Sequence, residues 1–64
     1  MIAENIRNLC KERGISVYKL EHDLGLSNGS ISKWGQHTPR ADRIMLVADY
    51  FGVPMDAILR HDQK

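Results

Sequence analysis

The sequence predicts an all-α domain with five short helices, and three observations support this prediction. Apolar residues recur three and four positions apart, as at Val17, Leu20 and Leu24, and this spacing places them on one face of a helix. Glycine follows several of these runs, where it favours the end of a helix. No segment shows the sustained alternation of apolar and polar residues that is typical of a strand.

The first two helices are delimited by residues that end or begin helices. The first is expected over about Ile2–Arg13, and Gly14 is expected to end it in a left-handed conformation. Ser16 is a preferred N-cap. A second helix is therefore expected to follow it and to end near Leu24, with Gly25 beyond its end.

Three further helices are expected in the second half of the chain. Ser27 is predicted to cap a third helix over about residues 28–34 through its side-chain hydroxyl. A loop over residues 35–39 leads to a fourth helix over Ala41–Phe51. Pro54 suits the first turn of a fifth helix, because its fixed φ is helical and its missing N–H costs nothing there.

The length and composition of the chain restrict the number of domains and the classes of function that fit the sequence. The chain has 64 residues, so we expect a single domain with an ordered core over about residues 2–60 and a polar tail over residues 61–64. Cys10 is the only cysteine, which fits a buried side chain and a reducing compartment. No apolar run approaches the roughly 20 residues that span a bilayer. We expect a cytoplasmic protein without membrane contact, metal, cofactor or small-molecule ligand.

Charge is distributed unevenly despite the formal net charge of +1. No acidic residue lies between Ser27 and Ala41, whereas Lys33, His37 and Arg40 fall inside that window. An ordinary solvated surface could produce this pattern by itself. It also predicts a mildly basic side, and the position of such a side matters more than net charge for contact with nucleic acid.

Residues 16–34 are predicted to form a helix, a turn at Gly25 and a second helix. This order matches the layout of a DNA-binding helix-turn-helix. In that arrangement the second helix enters the major groove, so the residues at its start and one turn on are expected to contact bases. Contacts with bases are predicted for Asn28, Gly29, Ser30, Ser32 and Lys33. Contacts with the DNA backbone are predicted for Ser16, Val17, Lys19, Ser27, Gln36, His37, Thr38 and Arg40.

Several of these residues also have a purely structural interpretation. Asn28 could cap a helix, and Lys33 and His37 could be solvated surface residues. Trp34 lies on the same stripe as Ile31, so we interpret it as a core residue rather than a stacking surface.

The fourth helix carries apolar residues without an evident role in the core. Leu46 and Tyr50 are four positions apart and share a face of the helix, and Met45 and Met55 lie nearby in the sequence. Scattered exposed hydrophobic residues are common and need no function. The functional interpretation is a surface for self-association or for a protein partner.

Two segments resemble a known family. Residues 24–31 are Leu-Gly-Leu-Ser-Asn-Gly-Ser-Ile, and residues 47–53 are Val-Ala-Asp-Tyr-Phe-Gly-Val. With Trp34 and Pro39 between them, the chain resembles the Cro/repressor-type, XRE-like helix-turn-helix family, and especially phage-type regulators of low-GC Gram-positive bacteria. The resemblance covers about residues 6–59 and implies a compact five-helix, lambda-repressor-like fold.

The resemblance also implies roles for individual residues. Relatives place a basic residue at the position of Arg40, near the minor groove between half-sites. They pair through the fifth helix and the nearby loop, where this chain has Met55, Ile58, Leu59 and Arg60. Glu21 stands where most of the family has alanine, and its carboxylate is expected to point outward, toward Lys33 or the loop.

These features together predict a transcriptional regulator of the phage repressor or Cro-like type that binds a double-stranded DNA operator. Because one half-site offers few contacts, a weak homodimer on a palindromic operator is expected. The alternative is a protein-binding adaptor or antitoxin-like module that uses the apolar surface of the fourth and fifth helices. An enzyme is not expected, since the neighbouring pairs His22-Asp23 and His61-Asp62 point in different directions and form no dyad with a nucleophile.

Overall fold

The computed structural model describes residues 2–60, and the predicted polar tail over residues 61–64 lies outside them. The described residues contain no strand and form five α-helices: α1 (Ile2–Arg13), α2 (Val17–Leu24), α3 (Ser30–Lys33), α4 (Ala41–Phe51) and α5 (Met55–Leu59). The predicted all-α, five-helix fold is confirmed. Within this part of the chain, no helix combines the length and the apolar character needed to cross a membrane.

The boundaries of α1, α2 and α4 agree with the predictions because local signals set them. Ser16 has extended backbone angles, and its hydroxyl accepts the N–H of Lys19 at 3.0 Å, which caps α2. Gly25 ends α2 with a φ of 72°, a conformation that only glycine adopts without strain. Pro54 is the residue before α5 rather than a member of its first turn, so that prediction was wrong by one position.

The core receives at least one fully buried side chain from every helix. These residues are Ile6 and Cys10 on α1, Leu20 on α2, Ile31 on α3, Val47 on α4 and Ile58 on α5. Trp34 is also buried, as predicted, and so is Phe51 at the end of α4. Since α3 has only four residues, its attachment to this core through Ile31 is essential to its position.

The predicted partner surface on α4 and α5 is smaller than expected. Ile58 is completely buried because α5 packs on α1 and α4, so its assignment to that surface was wrong. Tyr50 and Met55 are half-buried and pack against the core. The apolar side chains that remain exposed in this region are Met45, Leu46 and Leu59.

Side chains of α1 form hydrogen bonds with the C-terminal ends of α4 and α5. Asn5 donates through Nδ2 to the carbonyl oxygens of Ile58 at 2.8 Å and Arg60 at 2.6 Å. Arg13 donates to the carbonyl oxygen of Phe51 at 2.9 Å and lies over its ring, 5.6 Å from the centroid. These contacts satisfy carbonyl groups that have no partner within their own helix.

A polar cluster joins α2 to α4. The hydroxyl of Tyr50 donates to Oδ2 of Asp23 at 2.7 Å, and Nζ of Lys19 lies 3.3 Å from the same oxygen. The hydrogen bonds from Tyr50 and Lys19 lower the pKa of Asp23 below its usual value. The hydrogen bond to Asp23 raises the pKa of Tyr50.

This cluster predicts that stability depends on pH. The stability of the fold should decrease both at acidic pH, through Asp23, and at alkaline pH, through Tyr50. Asp23 contributes stability above the pKa of an unfolded aspartate, about 3.9, and this contribution is lost as the pH falls through the lower folded-state value. Tyr50 contributes stability below about pH 10, and this contribution is lost as the pH rises through its raised folded-state pKa. We expect Tyr50→Phe to move the NMR titration midpoint of the Asp23 carboxyl upward. Tyr18→Phe, which does not touch Asp23, should leave it in place, and an unchanged midpoint in Tyr50→Phe would contradict the hydrogen bond.

Candidate nucleic-acid interface

The helix predicted to enter the major groove is shorter than expected. It spans Ser30–Lys33 rather than residues 28–34, and Asn28 and Gly29 form a turn in front of it. Gly29 has a φ of 87°, which is incompatible with a helical residue and therefore sets the later start. The N–H of Ser30 donates to the backbone carbonyl of Ser27 at 3.1 Å, which closes the turn.

The carboxylate of Glu21, not the hydroxyl of Ser27, binds the backbone at the start of α3. Its Oε1 accepts the N–H of Gly29 at 3.2 Å, and its Oε2 accepts the N–H of Ile31 at 3.1 Å. Glu21 is only 4% exposed and is the one buried charged residue in the described part of the chain. The predicted cap by the Ser27 hydroxyl and the predicted outward carboxylate of Glu21 were both wrong. A buried carboxylate requires donors, and the free N–H groups at a helix start supply them.

The predicted base-contacting residues lie around this anchored turn. Asn28, Gly29, Ser32 and Lys33 are exposed, and Ser30 is half-buried. Among residues 2–60, the ion pairs are Lys19–Asp23, His22–Asp23 and Arg40–Asp42, so Lys33 has no acidic partner there. Its ammonium group is therefore available to an external anion or base edge.

Arg7 on α1 also lies at this surface, although it was not among the residues predicted to contact DNA. Its Nη2 donates to the hydroxyl of Ser32 at 3.4 Å, and both side chains are exposed. The two residues are 25 positions apart in the chain, so no local pattern connects them. The helical spacing of α1 predicts that Arg7 faces outward, but only the packing of α1 on α3 places its guanidinium beside Ser32.

The residues predicted to contact the DNA backbone lie at the N-terminus of α2, in the turn before α3, where Ser27 is found, and on the loop after α3. All are exposed except Val17, which is half-buried. Two of the cations have acidic neighbours: Lys19 pairs with Asp23 as described, and Nε of Arg40 lies 3.9 Å from Oδ1 of Asp42. The Arg40 pair is highly exposed, and such pairs are worth little, so it leaves the guanidinium free to exchange partners.

Cys10 on α1 is a titratable group that lies outside this surface. Cys10 is buried, and burial followed by the charge of Glu21 raises the pKa of its thiol. The neutral thiol acts as a small core side chain. Over residues 2–60, no group of three His, Cys, Asp or Glu side chains is arranged to hold a metal ion.

Comparison with known proteins identifies a family for this chain. The model of the Cro/C1-type HTH DNA-binding domain family matches residues 5–64. Neither the curated proteins nor the solved structures include a significant match to this chain. The family match covers nearly the whole sequence and includes the α2–turn–α3 unit described above. The chain belongs to the Cro/C1-type HTH DNA-binding domain family.

Proposed function

We propose that this protein is a sequence-specific transcriptional regulator of the phage repressor or Cro-like type, and that it acts in the bacterial cytoplasm without enzymatic activity. It inserts α3 and the preceding turn into the major groove of double-stranded DNA. The observation that carries the proposal is the exposure of Asn28, Ser32 and Lys33 around one backbone segment anchored by Glu21. No acidic residue lies between residues 27 and 41 to repel phosphate groups.

The side chains at this surface match base edges of the major groove. The carboxamide of Asn28 suits a bidentate contact with adenine, and Lys33 suits the acceptors of guanine or a phosphate. The backbone groups of Gly29 already have partners within the protein, because its N–H donates to Glu21 and its carbonyl accepts the N–H of Lys33 at 3.2 Å. We therefore assign Gly29 to close approach and to contact with a thymine methyl group.

Contacts with phosphates would supply affinity and orientation rather than sequence preference. Ser16 and Lys19 at the start of α2, Ser27, and the loop residues Gln36, His37, Thr38 and Arg40 are the candidates for these contacts. Arg7 is added to this set because it lies beside Ser32. Its position favours a phosphate that borders the bases contacted by α3.

The experiment that tests DNA binding is a titration of a fluorescently labelled random duplex at two salt concentrations. A protein that neutralises phosphates releases counterions, so its affinity should fall at least about tenfold between 50 and 200 mM salt. The alternative, an adaptor or antitoxin-like module, is favoured by the exposed apolar residues Met45 and Leu46 on α4. Such a module would not bind the duplex at either salt concentration.

A homodimer on a palindromic operator is the second part of the proposal. One copy offers few base-contacting side chains, and two-fold pairing doubles them. The exposed side chains of Met45, Leu46 and Leu59, with the edges of Met55 and Tyr50, are the candidate contact surface. Palindromic operators mirror the two-fold symmetry of such dimers.

Leu46→Glu is expected to shift the sedimentation of the protein toward the monomer while the helical circular dichroism stays unchanged. Leu46 is 45% exposed, so the glutamate disturbs a contact between copies and not the core. Asn8→Glu adds the same charge at an exposed position of α1 and is the matched control. Equal sedimentation of the wild type and Leu46→Glu, under conditions where the wild type self-associates, would remove Leu46 from the interface.

A further inference from the structure

Glu21 makes contacts with both ends of the turn between α2 and α3. Its backbone carbonyl accepts the N–H of Leu26 at 2.8 Å, where the turn begins. Its carboxylate accepts the N–H groups of Gly29 and Ile31, where the turn ends and α3 starts. One residue therefore spans the whole connection between the two helices.

The two carboxylate contacts fix orientation as well as position. Each oxygen binds a different donor, and the donors lie two residues apart on either side of Ser30. A single hydrogen bond would allow the backbone to pivot, whereas two bonds to separate oxygens restrict that rotation. Glu21 has no cationic partner among residues 2–60, so these N–H groups are its principal compensation for burial.

The short helix depends on this anchor. A helix of four residues has almost no intrinsic stability, and no hydroxyl caps its first turn. The side chain of Ile31 holds the inner face of α3 in the core, and Glu21 holds its N-terminal end. Asn28 precedes the anchored segment and Lys33 follows it, so their positions relative to each other depend on both attachments.

We propose that Glu21 is a positioning residue for base readout: its carboxylate holds the turn before α3 in the single geometry in which Asn28 and Lys33 reach the bases together. This role rests on the DNA-binding function proposed above. Hydrogen bonds to base edges tolerate only a few tenths of an ångström and weaken steeply off axis. Contacts with phosphates from flexible cations tolerate more movement. Loss of the anchor should therefore reduce discrimination between sequences more than overall DNA affinity.

The test compares wild type, Glu21→Ala and Glu21→Gln. Each protein is titrated with a duplex selected from a random library by the wild type and with random duplex. We expect Glu21→Ala to lose about tenfold or more in affinity for the selected duplex, equivalent to one good base contact, and about twofold or less for random duplex. Glu21→Gln keeps one acceptor oxygen and the packing volume. Its affinity for the selected duplex should therefore lie between those of the wild type and Glu21→Ala, and it should remain folded even if the alanine variant does not.

Two further measurements separate positioning from loss of stability. Ile58→Val lowers stability on α5, away from the turn, and should keep the wild-type ratio of specific to random affinity. Amide exchange of Gly29 and Ile31 in the free protein should accelerate in Glu21→Ala beyond the change in global stability.

The proposal is overturned if Glu21→Ala and Glu21→Gln keep the wild-type affinity ratio. It is also overturned if Ile58→Val loses discrimination to the same extent, or if the two amides exchange no faster. A wild type that binds no DNA would overturn the proposed function together with the positioning role. A wild type that discriminates between sequences, with a Glu21→Ala variant that discriminates equally, would overturn the positioning role alone.

Discussion

Ile58→Ala is expected to lower the free energy of unfolding by about 2–5 kcal/mol, because the side chain is fully buried and its removal leaves a cavity. The total stability of small domains lies near the lower end of about 5–15 kcal/mol. The variant should therefore be partly unfolded at physiological temperature. Urea denaturation followed by circular dichroism measures the change.

Leu59→Ala is the matched control for this prediction. Leu59 is the next residue on α5 but is 39% exposed, so its truncation should cost less than about 1 kcal/mol. A loss of stability in Ile58→Ala as small as that in Leu59→Ala would contradict the burial of Ile58. Such a result would also support the original prediction that Ile58 lies on the self-association surface of α4 and α5.

Asn28→Ala is expected to lower the affinity for a selected duplex by about 5–150-fold, which corresponds to 1–3 kcal/mol for a bidentate contact with a base. Its affinity for random duplex should stay nearly unchanged, because the side chain carries no charge. Lys33→Ala should lose a similar factor on the selected duplex. It should also lose slightly on random duplex, since a cation near phosphates contributes to both.

Asn8→Ala is the matched control, because Asn8 is an exposed asparagine on α1 outside the proposed interface. It should bind both duplexes as the wild type does. Fluorescence anisotropy at one fixed salt concentration gives all the affinities. If Asn28→Ala and Lys33→Ala weakened binding to selected and random duplex by equal factors, base contact by these residues would be refuted.

Much of the fold could be predicted from the sequence because its signals are local. Apolar residues at helical spacing mark the buried faces, as at Ile6 and Cys10 on α1. Ser16 and Gly25 delimit α2 through contacts that span only a few positions. Such contacts depend on neighbours in the chain, so the boundaries of α2 could be derived without knowledge of the tertiary packing.

The start of α3 could not be predicted in this way. Ser27 is a favourable N-cap by type, but Gly29 adopts a positive φ and the capping carboxylate comes from Glu21, eight and ten positions from the groups it binds. A buried glutamate also opposes the usual preference for exposed charge, and only the packing of α2 on α3 makes it favourable. The contact of Arg7 with Ser32 is tertiary for the same reason.

The assignment of Ile58 to a pairing surface failed for a different reason. That assignment followed from the way relatives pair and not from the position of Ile58 in α5. In this chain α5 has only five residues and packs on α1 and α4, which directs Ile58 inward and leaves Leu59 outside. Which residue of so short a helix is buried depends on the angle at which it packs.

In the function proposed here, the turn before α3 and α3 itself recognise a DNA sequence. Selection of bound duplexes from a random library by the wild-type protein tests it most directly. We expect enrichment of one short sequence, repeated in inverted orientation if two copies bind, and loss of this enrichment when both Asn28 and Lys33 are replaced by alanine. Bound duplexes with the same base composition as the starting library, in the wild type as in the double variant, would contradict it.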